Sequence, residues 1–238
     1  MPSELHFSPG AETVWRLVEA QHVVSTTRLV DTLAEQEILE AILERSKPPM
    51  PADCTRLHYL MAAPFRYGLY PQDSRFRRKG RTPGVFYASV KPITAAAETV
   101  WARLRFFAAA PDATRPAQAA EFTGFSVSLS TARAVDLTKP PMNADRALWT
   151  DPDDYSACLA LADRARAAGV GTIRYQSVRH PDGLTNVAVL RCATFARPNP
   201  LAFQSWRILM RPAGALVFCE HPKQAWEFHQ DGKHLRRV

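Results

Sequence analysis

A small set of side chains sits where local patterning places polar groups at the edge of apolar surface. Val85–Val90 alternates as a strand, with Val85, Tyr87 and Ser89 on one face. Two hydroxyls on that face suit a cleft better than a dry core. Glu98 borders the apolar stripe of a following helix, beside Ala97 and one turn before Trp101 and Ala102, where a carboxylate can reach a pocket. Ser177 follows Ile173 and Tyr175 on one strand face, so that an apolar face ends in a group that both donates and accepts a hydrogen bond. No base adjoins Ser177, which argues against a nucleophile. Asn186 on the next strand offers a further polar contact, whereas His180 reads as a surface turn residue. The run Arg75, Arg77, Arg78, Lys79 and Arg81 supplies guanidinium groups able to fork onto phosphate oxygens, although a loop arginine taken alone is a solvated charge.

The familiar catalytic signatures are missing around these residues. There is no Gly-rich loop ending in Gly-Lys-Ser/Thr, no GxGxxG after a strand and no GxSxG elbow. The histidines show no HExxH spacing and do not combine with cysteines at zinc-finger intervals, so no metal site is expected. Lys and Arg number 30 against 23 Asp and Glu, a net charge of +7, which points towards an anionic partner. Basic residues cluster only at Arg75–Arg81 and in the tail (Lys233, His234, Arg236 and Arg237). The balance therefore suits an enzyme with a small anionic substrate, and equally a nucleic-acid-binding module. The four cysteines are far apart and read as reduced, mostly buried thiols. Met1 to Phe7 shows no secretory pattern and no stretch approaches the ~18 apolar residues of a membrane span, so a soluble cytoplasmic protein is expected.

The elements that would position these groups form an α+β pattern. Residues 11–47 read as helical, with Val14, Leu17 and Val18 and then Leu29, Leu33, Ile38, Ile42 and Leu43 at helical spacing, ended by Lys47-Pro48-Pro49-Met50-Pro51. This divides the chain into an N-terminal helical extension, 1–55, and a main domain, 56–238. The extension is expected to pack on the main domain as a hairpin, and it could also form a homo-oligomer or partner surface. Residues 66–84 are irregular, and long irregular connections are often functional. A helix runs from Pro92 to about Ala109 with core stripe Ala97, Val100, Trp101, Leu104 and Phe107. Strands are expected at Phe122–Leu129, Ala134–Leu137, Thr172–Val178 and Leu184–Leu190, with β-like runs around Trp206–Met210 and Ala215–Cys219. Another helix starts at a Thr150 or Asp151 cap and ends near Gly169. Strict βαβ alternation is lacking, which excludes a doubly wound sheet.

From Leu57 onward the chain resembles the RES-domain family, named for an Arg, a Glu and a Ser. The resemblance rests on LHYLMAAPFRYG, SRFRRKGRTPGVFYASVKPITAAAETVWAR, ALWTDPDDYSACLALADRARAAGV and IRYQSVRHPDGLTNVAVL, in that order, over most of residues 57–200. It implies a fold similar to ADP-ribosyltransferases, a split β core flanked by helices. It also implies a toxin that depletes NAD, its substrate, by cleaving the nicotinamide–ribose bond through hydrolysis or phosphorolysis. Transfer of ADP-ribose to a protein is the alternative. The expected partner is an Xre-like antitoxin, through which alone nucleic acid would be met; no membrane partner is implied. The family's Arg falls on Arg75, its Tyr on Tyr87, its Glu on Glu98 and its Ser on Ser177. In that reading Arg75 grips the pyrophosphate, with Arg77, Arg78 and Arg81 as alternatives because this loop is longer than the shortest family pattern. Tyr87 stacks and orients, Glu98 opposes the charge that builds on the ribose, and Ser177 and Asn186 add polar contacts.

Overall fold

The computed structural model describes residues 4–20, 29–67, 70–232 and 234–237. Residues 21–28, which belong to the helical expectation over 11–47, lie outside the described residues, as do Met1 to Ser3, Gly68, Leu69 and Lys233 of the basic tail.

The chain is mixed α+β. Nine strands among the described residues form one sheet: β1 (Ser8–Glu19), β2 (Phe86–Ser89), β3 (Ala120–Asp136), β4 (Thr172–Gln176), β5 (Thr185–Val189), β6 (Ala202–Arg211), β7 (Gly214–Cys219), β8 (Gln224–Asp231) and β9 (His234–Arg237). Their order is β1-β2-β5-β4-β3-β6-β7-β8-β9, and β1 pairs additionally with β3. The first five strands of that order therefore close into a ring, and β6 to β9 continue outward from β3 as a leaf. Only β3–β4 is parallel, over Ala134–Asp136 against Thr172–Arg174.

The helices are α1 (Leu33–Ser46), α2 (Tyr59–Arg66), α3 (Pro92–Ala109), α4 (Arg146–Trp149) and α5 (Ser156–Ala167). Three apolar clusters result. α3 packs against the leaf through Val100, Trp101, Leu104 and Phe107, which meet Phe122, Trp206 and Ile208. α2 covers one side of the ring through Met61 and Phe65 against Phe86, Phe125 and Phe195. α4 and α5 cover the other through Trp149, Leu161 and Ala165 against Val135, Ile173 and Ala188. Trp149, Trp206 and Phe125 are completely enclosed, each contributing roughly 1.5–3 kcal/mol by burial. Gly84 lets the end of the irregular loop lie on α2: a Cβ there would sit 1.5 Å from the Pro64 carbonyl oxygen.

Several sequence expectations need correction. Residues 11–19 are a strand. Val14 and Leu17 are three apart because they face opposite sides of β1, each into its own core, which mimics helical spacing. The second half of that stretch is helical, with a Thr32/Glu35 capping box at its start. It does not pack as a hairpin, since Leu33, Ile38 and Ile42 are exposed. The two strands expected at Phe122–Leu129 and Ala134–Leu137 are one, because β1 carries the ladder across the polar residues Ser130 and Thr131. The helix expected from Thr150 begins instead at Ser156. The Asp151 carboxylate accepts the amides of Asp153 and Asp154, and the Asp151 and Pro152 carbonyls are held by Arg75 and Arg179. The helix does end near Gly169: its last residue is Ala167, and Gly169 follows in the left-handed region at φ 69°.

Cys54 and Cys192 are joined in a disulfide rather than reduced, tying the turn before α2 to the turn after β5 across 138 residues of sequence; Cys158 and Cys219 are buried thiols. A bridge closing so long a loop contributes roughly 3–5 kcal/mol. Reduction with dithiothreitol is expected to lower the urea midpoint accordingly, and the Cys54→Ala, Cys192→Ala double variant to lose that sensitivity. Among the described residues no helix is long and apolar enough to cross a membrane.

Candidate active site

The ring and α3 enclose a cavity of about 380 Å³ whose walls come from distant parts of the chain: Arg16 on β1, Arg75 in the irregular loop, Tyr87 and Ser89 on β2, Glu98 on α3, and Asn186 on β5. Tyr155, Tyr175 and Arg179 complete it.

Glu98 is held at one oxygen. Its Oε1 accepts from Ser177 Oγ and from Asn186 Nδ2, both at 2.7 Å. Asn186 Oδ1 in turn accepts from Ser89 Oγ at 2.6 Å. Among the described residues Oε2 has no hydrogen-bond partner. The chain Ser89–Asn186–Glu98–Ser177 thus fixes a half-buried carboxylate by charge-assisted bonds while leaving one oxygen for another group. Ser177 is not on the cavity wall. Buried at 2 % exposure, it accepts the amides of Arg179 and His180 and supports the carboxylate from behind.

Tyr87 and Arg75 depart from their expected contacts. The Tyr87 hydroxyl accepts the Phe76 amide at 3.0 Å and shares a 2.9 Å hydrogen bond with Ser74. It anchors the irregular loop to β2, and burial pushes the phenol above its ordinary range, so it stays protonated. The Tyr175 phenol is pushed up further, first by burial and then by the charge of Glu98. The fork of Arg75 is directed at the Trp149 and Asp151 carbonyls, at 2.7 and 2.8 Å, and its plane lies over the Tyr155 ring. Arg77 lies over the Tyr70 ring and Arg78 pairs with Asp163. Arg75, Arg77 and Arg78 are therefore engaged within the protein, whereas Lys79 and Arg81 are exposed.

Arg16, Tyr155 and Arg179 were not foreseen. Arg179 lies over Trp101 and donates to Pro152, and Arg16 donates to the Tyr87 carbonyl at 2.9 Å. Nothing local distinguishes these arginines in sequence, since their positions depend on β1 and the turn after β4. His180 is buried, contrary to expectation, at 6 % exposure, and its Nδ1 accepts the Asp182 amide. Among the described residues one group, Asp53, Cys54 and Cys192, has metal-binding proximity, but its two sulfurs are in the disulfide.

Burial holds the His180 imidazole below its ordinary value of 6.5, with Asp182 opposing and Arg237 reinforcing the shift. Because the folded state favours the neutral ring, the stabilisation is present above pH ~6.5 and is lost as the pH falls below it. Unfolding midpoints measured between pH 7.5 and 5 are expected to drop in the wild type and to drop less in His180→Asn.

A family model for the RES domain matches residues 50–211, more than half of the chain. The chain belongs to the RES-domain family. No curated protein matches it. Among solved structures, this RES-domain protein is similar to a chain of the M. tuberculosis MbcT-MbcA toxin-antitoxin complex, at 14% identity and a TM-score of 0.47, over 83% of this chain and 85% of that one. The matched residues 50–211 include Arg75, Tyr87, Glu98, Ser177 and Asn186 and leave Arg16 outside.

Proposed function

We propose that this RES-domain protein is the toxin of a toxin–antitoxin pair and depletes cytoplasmic NAD by breaking the nicotinamide–ribose bond. The observation that carries the reading is the Glu98 carboxylate, held at one oxygen by Ser177 and Asn186 inside a cavity ringed by arginines. When the C1′–N bond breaks, its electron pair leaves with nicotinamide, which departs neutral, and the ribose becomes oxocarbenium-like. A fixed carboxylate beside that sugar stabilises the growing charge and can orient a ribose hydroxyl or the attacking oxygen. Water as the attacking group gives ADP-ribose and a proton; phosphate gives the 1-phosphate. Arg75 and Tyr87 act here as positioning residues that hold the loop and cavity wall, Ser177 and Asn186 orient Glu98, and an Xre-like antitoxin is the expected partner.

The test is to incubate purified protein with NAD, with and without phosphate, and to quantify free nicotinamide. Growth inhibition by a wild type that releases no nicotinamide overturns the reading. Labelled NAD that marks a protein, with nicotinamide released in step, assigns ADP-ribosyl transfer instead.

A further inference from the structure

Ser177 Oγ has its whole bonding capacity committed. It accepts the amides of Arg179 at 3.3 Å and His180 at 3.0 Å, which fill both acceptor positions of a hydroxyl, and its single proton is left for Glu98 Oε1. The two amides belong to consecutive peptide groups, and β9 holds each of those groups by its carbonyl. The Val178 carbonyl, in the plane of the Arg179 amide, accepts from His234 Nδ1 at 2.8 Å. The Arg179 carbonyl, in the plane of the His180 amide, accepts from the Leu235 amide at 3.3 Å. A carbonyl oxygen can only accept, so the proton sits on Nδ1 of His234. Because a peptide group is rigid and planar, a bond that stops its C=O from turning also stops its N–H. Leu235 anchors β9 in the α3 core at 3 % exposure, while His234 is exposed and lies on the wall of a separate hollow, about 430 Å³, that Ser177 and His180 share.

We infer that His234 is a positioning residue for Glu98, acting through the Val178–Arg179 peptide group and Ser177. In a chain of hydrogen bonds each member polarises the next. This one runs from the His234 ring through one peptide group to the Ser177 hydroxyl and ends on the carboxylate. Without His234 the Val178 carbonyl is free to tilt, the Arg179 amide leaves Oγ, and the Ser177 hydroxyl gains orientations that no longer donate to Oε1. The sequence counted His234 only with the basic tail, and β9 lies beyond residue 211, where the family match stops. The kinetic form of the inference rests on the NAD reading; the relay itself does not.

The experiment measures nicotinamide release from NAD by the full chain and by its His234→Ala, Ser177→Ala and double variants. Growth inhibition at matched expression is the parallel readout, since it assumes no substrate. His234→Ala is expected to lower kcat about five- to tenfold, the rate equivalent of one hydrogen bond, with KM and Tm near their wild-type values. His234→Asn is expected to recover most of the loss, because its side-chain amide nitrogen stands as far from Cβ as Nδ1 does. His234→Gln, longer by one bond, is expected to recover little, and it carries the test should His234→Ala not fold. In the Ser177→Ala background the His234→Ala change is expected to cost less than about twofold, since no hydroxyl remains for it to orient. A wild-type kcat in His234→Ala overturns the proposal, as do additive losses in the double variant or an effect confined to KM. A wild type that inhibits growth without releasing nicotinamide sinks the NAD reading alone, and the same cycle is then read in growth inhibition. Nicotinamide release indifferent to His234 sinks the relay alone.

Discussion

Glu98→Gln is expected to reduce nicotinamide release from NAD by about 10²–10³-fold, the loss typical when one fixed electrostatic partner of a transition state is removed. The amide keeps the size of the side chain and an oxygen that can accept from Ser177 and Asn186, so the fold should be unaffected within about 0.5 kcal/mol. What disappears is the negative charge opposite the developing oxocarbenium. Binding of ADP-ribose, which no longer carries the leaving group, should change little. Glu98→Ala is the harsher variant: it orphans the Ser177 hydroxyl and the Asn186 amide, at about 1–3 kcal/mol for unsatisfied groups. The pair of variants therefore separates lost charge from lost support. A Glu98→Gln enzyme releasing nicotinamide at the wild-type rate removes Glu98 from the chemistry.

Arg75→Met is expected to lower stability by about 2–4 kcal/mol, read as a shift in the urea midpoint at constant slope. Arg75 is 8 % exposed. It donates to Trp149, Asp151 and the Cys158 sulfur, and methionine can satisfy none of these groups. Arg75→Lys should recover less than half of the loss, because an ammonium cannot reach the Trp149 and Asp151 carbonyls with one planar fork. A loop arginine whose only task was to meet phosphate would give a shift within about 0.5 kcal/mol. The two roles are thus told apart without any substrate. Activity should fall with stability, since the segment that Arg75 holds carries Tyr155 on the cavity wall.

Much of the carboxylate environment was legible in sequence. Glu98 at the edge of a buried stripe, Ser177 at the end of an apolar strand face and Tyr87 and Ser89 on one side of β2 are each set by local periodicity, and local periodicity survives folding when the element is read correctly. α3 and its core stripe are such a case. What was not legible depends on strand pairing between distant segments. Arg16 looked like a residue of an amphipathic helix because β1 buries both of its faces. The partners of Arg75 could not be read either, since the Trp149 and Asp151 carbonyls are its acceptors only because α4 stops at Trp149 and α5 does not begin until Ser156. The Cys54–Cys192 bridge has the same origin, because neither cysteine carries a local sign of its partner.

The closure of β1 onto both β2 and β3 has a bearing on where the chain can be cut. The family match begins at residue 50, yet the ladder along most of β3 is supplied by residues 8–19. A fragment started at that boundary would leave β2 and β3 with open flanks, rows of amides and carbonyls ready to recruit strands from other molecules. It would also lack Arg16. The smallest piece that keeps the walls of this hollow intact must carry its first strand with it.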